Sequence, residues 1–82
     1  MTRFEQKKLD VEFARFTKMN FDKPQNCRNI GQIRYYMNEL SEKIQELKRS
    51  FNYVPASAHI LLSQYNAEQN RLIHRNFQEA YS

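Results

Sequence analysis

Nucleophilic or metal chemistry in this chain would have to come from one cysteine and two histidines, Cys27, His59 and His74, together with nine carboxylates. A zinc ion needs three or four such ligands converging on it. His59 and His74 lie fifteen residues apart in the sequence. On one helix that is about 22 Å, too far for one chain to bring both to a single ion. No His pair stands at i, i+3 or i, i+4, so no metal site is expected. Nor is a cofactor: a phosphate-cradling loop needs several glycines, and Gly31 is alone.

Cys27 would need a nearby His, or help from Arg28 or a helix N-terminus, to become a reactive thiolate. A small packed or exposed thiol is the simpler expectation. Glu39, Glu42 and Glu46 share a helical face, but Lys43 and Arg49 sit beside them. That is the pattern of a solvated, salt-bridged surface rather than of an acid–base pair. No catalytic residue is assigned, and a chain this short has little room for a pocket of several hundred Å³. A non-enzymatic protein is expected.

The basic residues of the N-terminal segment are more informative. Arg3, Lys7, Lys8, Arg15 and Lys18 fall on one side of a helix, opposite Leu9, Phe13 and Phe16, and Phe4 and Val11 lie in the middle of the basic side. The net charge of +4 leans toward this half of the chain, with +2 over residues 1–20 and 0 over 52–82. A basic stripe with an apolar centre suits a protein surface, nucleic-acid phosphates or an anionic membrane. Base stacking is poorly served, because Phe4 is the only ring on that side. The chief expectation is a protein partner, met by an adaptor, inhibitor or assembly factor. A nucleic-acid-binding accessory protein is the alternative.

These residues need elements to hold them. Eighty-two residues make one domain, 1–82. One Gly and two Pro are too few for a turn-rich β fold. The prolines divide the chain into three helical segments, at about 2–20, 29–52 and 55–80. Thr2 with Glu5, and Asn29 with Gln32, have capping-box spacing. In the second segment Ile30, Ile33, Met37, Leu40, Ile44, Leu47 and Phe51 follow the 3, 4 rhythm of a heptad seam about 35 Å long. Glu39–Lys43 and Glu46–Arg49 are spaced to pair along it.

In the third segment Ala58, Leu61, Leu62, Tyr65, Leu72, Ile73 and Ala80 share a broad face that Gln69 and Asn76 interrupt. The short link through Pro55 makes the second and third helices antiparallel neighbours. With the turn centred near Val54, Ile44 meets Tyr65, Met37 meets Leu72 and Ile33 meets Asn76. The expected fold is all-α: a long, coiled-coil-like antiparallel hairpin plus an N-terminal helix, closed as a three-helix bundle or as a helical dimer. Because Asn76 and Glu79 would oppose Ile33 and Ile30, those isoleucines need another cover. A homodimer through Phe4, Val11, Ile30 and Ile33 is therefore expected. Tyr35, Ile60, Phe77 and Tyr81 fall outside the assigned stripes. No apolar run approaches the roughly 18 residues of a membrane span. The charged N-terminus does not resemble a signal peptide, and with a single Cys the expected location is cytoplasmic.

Overall fold

The computed structural model describes the backbone of residues 2–81 and the side chains of residues 2–75. Three helices fill most of it: α1 (Arg3–Asn20), α2 (Ile30–Phe51) and α3 (Ala56–Tyr81), with a single 3-10 turn at Pro24–Asn26 between the first two. The fold is an all-α helical hairpin with a third helix packed on it.

The helix ends follow from local chemistry. The Thr2 hydroxyl accepts the Glu5 N–H at 3.2 Å, and the Asn29 carboxamide oxygen accepts the Gln32 N–H at 2.7 Å. Each satisfies a donor that has no intrahelical partner. At the other end of α1 the Asn20 side chain donates to the Phe16 carbonyl at 2.8 Å. From Phe21 the backbone is extended, as it must be on the approach to Pro24. α2 ends at Asn52, which takes the left-handed conformation (φ 51°, ψ 35°) and returns its N–H to the Lys48 carbonyl. Among non-glycine residues Asn tolerates this geometry best. Pro55 precedes α3 by one residue and accepts the Ala58 N–H at 3.0 Å.

The core lines the contact of α2 with α3. Its buried positions recur every seven residues: Ile33, Leu40 and Leu47 on α2, and Ala58, Tyr65 and Leu72 on α3. Taken in antiparallel order they form three layers whose numbers sum to 105 rather than the expected 108. The Tyr65 ring accordingly lies on Tyr36, 5.7 Å between centroids, two turns farther from the loop than the Ile44 expected to meet it. The alternate seam residues Ile30, Met37 and Ile44 are only half-buried against this core, and Phe51 is exposed. Ile73, assigned to the inner face of α3, is also exposed. Asn76, Phe77, Glu79, Ala80 and Tyr81 lie outside the described side chains.

α1 starts beyond the α2–α3 loop, runs along the hairpin away from that loop, antiparallel to α2, and inserts Leu9 and Phe13 into the core. Tyr53 in that loop donates its hydroxyl to the Asp10 carboxylate at 2.8 Å. The helix therefore reaches the loop at Asp10, and Arg3–Lys8 project about 10 Å beyond it. This overhang and the roughly 39 Å of α3 make up most of the length of a molecule 55 Å long and only 20 × 16 Å across.

One expectation is corrected here. Ile33 has no exposed surface, and Ile30 is half-buried against the same core. The link between α1 and α2 covers this end: Cys27 joins the core cluster, and Pro24 is buried as the 3-10 turn packs on α3. Ile33 is thus not available for self-association, and no bare isoleucine face calls for a second copy.

Candidate functional site

The outer face of α1 is the surface that packing leaves most unusual. Its position is set by what lies beneath. Phe16 contacts Phe13 and Phe21, with centroids 6.4 and 5.6 Å apart, and Lys43 of α2 places its ammonium 5.1 Å from the Phe16 ring centre. Phe21 continues the contacts to Tyr36 at 5.1 Å and to Tyr65 at 6.4 Å. Such ring pairs contribute about 0.5–1.5 kcal/mol each beyond the area they bury. The Tyr65 hydroxyl donates to the Asp22 carbonyl. The Asp22 carboxylate in turn accepts from Gln32 at 3.1 Å and from Tyr36 at 3.3 Å. α1 is therefore fixed along and about its axis, and so is the face it turns to solvent.

That face carries Arg3, Lys7, Lys8, Arg15 and Lys18, all exposed as the helical spacing predicts. Phe4 is 79% exposed and Val11 57%. Phe4, Lys7, Lys8, Val11, Glu12 and Arg15 border a shallow groove of ≈ 480 Å³. Among the described residues none of the five basic side chains has an ion-pair partner. Of the nearby acids, Asp10 is occupied by Tyr53. Phe4 lies on the overhang, where the hairpin cannot fold over it. An exposed Phe is common enough on a protein surface. Two apolar side chains on one line, inside a ring of unpaired cations, are the composition of a docking patch.

The other candidate groups are placed elsewhere. Cys27 is buried, with its thiol 3.6 Å from the Lys23 carbonyl. Burial first, then the carboxylates of Asp22 and Glu68, pushes the thiol above its ordinary value, the reverse of what a nucleophile needs. His59 and His74 are exposed on α3. No group of three or more His, Cys, Asp or Glu that could hold a metal occurs among the described residues. Lys43 pairs with Glu46 at 3.7 Å and covers Phe16, so the Glu39–Lys43 and Glu46–Arg49 pairs expected along α2 do not form. No described helix is long and apolar enough to cross a membrane.

The aromatic anchor of Phe21, Tyr36 and Tyr65 had no signal in the helical spacing, because its members meet only through the fold of the α1–α2 link. Comparison with known protein families, with curated proteins and with solved structures finds no match to the chain.

Proposed function

We propose that this chain is a small non-enzymatic binding protein that docks a protein partner on the outer face of α1, as an adaptor, inhibitor or assembly factor. The observation that carries the reading is the pair Phe4 and Val11, 79% and 57% exposed at the centre of five basic side chains. An apolar centre gains from desolvation, and a charged rim steers approach and selects a partner of opposite sign. A helix that must bury its opposite face in the core is a rigid platform for such a patch. The partner that fits has an apolar contact ringed by carboxylates. A nucleic-acid phosphate backbone would use the five cations but leave Phe4 and Val11 in water.

The test is recovery of partners from the native host on the wild-type chain and on a Lys7→Glu/Lys18→Glu variant. Both residues are exposed, so stability should change by no more than about 0.5 kcal/mol and helicity should be retained. The reading expects a protein retained by the wild type and lost from the variant, with affinity that falls only modestly with added salt. Steep loss of affinity with salt, and nuclease-sensitive recovery, would establish the nucleic-acid alternative instead. Equal recovery on both chains would show that the face is merely solvated.

A further inference from the structure

The α1 face has a counterpart on the same chain. Along α1, Phe4, Lys8, Val11, Arg15 and Lys18 are spaced 4, 3, 4, 3, one straight line down the outer side of the helix. Along α2, Tyr35, Glu39, Glu42, Glu46 and Arg49 repeat the same spacing on a face turned away from the core seam. Tyr35 is 61% exposed, Glu42 and Glu46 are exposed and Glu39 half-buried. Glu46 has Lys43 beside it at 3.7 Å, and among the described residues neither Glu39 nor Glu42 has an ion-pair partner. One stripe is thus basic with apolar members, and the other carries three carboxylates between an exposed ring and the terminal Arg49. Among the described residues the Glu46–Lys43 contact is the one ion pair on either stripe.

We infer that the occupant of the α1 face is a second copy of this chain, each copy laying its basic α1 stripe on the acidic α2 stripe of the other. This inference rests on the reading of α1 as a binding surface and names what that surface takes. Levels along the bundle favour it. Within one chain α1 runs antiparallel to α2, with Phe16 level with Lys43 and Asp10 level with Tyr53. A two-fold axis along the bundle preserves those levels. It brings Lys18 and Arg15 of one copy to within about a turn of Glu42 and Glu46 of the other, and makes the same contact twice. Exposed ion pairs are individually weak, so the association draws on the repeated pairs together with the cover given to Val11. The interface lies away from Ile33, which the chain already buries.

The test is the solution mass at about 100 µM by multi-angle light scattering, a concentration that populates weak dimers. The wild-type chain should show twice its 10.0 kDa. Arg15→Glu/Lys18→Glu, with both stripes acidic, and Glu42→Lys/Glu46→Lys, with both basic, should each run at the mass of one chain while keeping wild-type helicity. An equimolar mixture of the two variants should return to twice that mass, because each then meets its complement in both contacts. A wild-type mass of one chain would overturn the inference, as would either variant alone keeping the double mass. A single-chain wild type whose partner protein is lost on Lys7→Glu/Lys18→Glu removes the second copy while the binding face stands. A double-mass wild type with equal partner recovery on both chains leaves the second copy on the α1 face and removes any other protein from it.

Discussion

Tyr65 ties α3 to α2 and to the link that follows α1. It is fully enclosed, its ring touches Phe21 and Tyr36, and its hydroxyl holds the Asp22 carbonyl across 43 residues of sequence. Tyr65→Phe keeps the ring and removes the hydrogen bond. A loss of about 1–3 kcal/mol in urea unfolding is expected, since the neighbouring acceptor is left without its donor. Burial also makes the molecule sensitive to alkali. Desolvation raises the Tyr65 phenol and the Cys27 thiol above their ordinary values of 10.0 and 9.0. A group held more strongly protonated when folded adds stability that is fully present below its unfolded value and is lost as pH rises through the folded one. The urea midpoint should hold between pH 7 and 8.5 and fall from about pH 9 upward. Cys27→Ala should flatten the first part of that fall. A midpoint that rises above pH 9 would contradict the burial of both groups.

At the level of the helices, the hairpin was legible because each helix has to bury one face. The heptad line of α2, the caps at Thr2 and Asn29 and the break at Pro55 each rest on contacts within a few residues of sequence. Leu40 is the middle layer, so Leu40→Ala should cost roughly 2–5 kcal/mol, enough to unfold a core this small in a thermal melt. Asn52 holds a positive φ, so Asn52→Gly should be neutral or stabilise slightly, while Asn52→Val should destabilise by 1 kcal/mol or more. What the helical pattern did not contain was the path of the link from Phe21 to Asn29. The link places Pro24 and Cys27 against α3 and Asp22 under Tyr36 and Tyr65, contacts no periodicity encodes. That cover, together with a register that sets Leu72 rather than Asn76 in the layer of Ile33, is why Ile33 reads from sequence as bare and is enclosed. The ion pairs of α2 were misassigned for a related reason. Lys43 is claimed by the Phe16 ring of another helix, which the spacing along α2 alone cannot show.

The whole molecule is a rod with one end extended. Its radius of gyration is 15.0 Å, against about 12 Å for a compact chain of this length. The basic residues of the binding face were legible in the sequence, because opposite faces of one helix separate cleanly by spacing. The placing of Arg3, Lys7 and Lys8 on an overhang beyond the loop was not, because it depends on where α1 docks. Site-specific photo-crosslinking in the native host tests the central claim, that a protein docks on the outer face of α1. A benzophenone side chain replaces Val11 in one variant and the exposed Asn66 of α3 in another. The account predicts a protein adduct at Val11, a second copy of the chain or another protein, and none at Asn66. No adduct at Val11, or equal adducts at both positions, would contradict it.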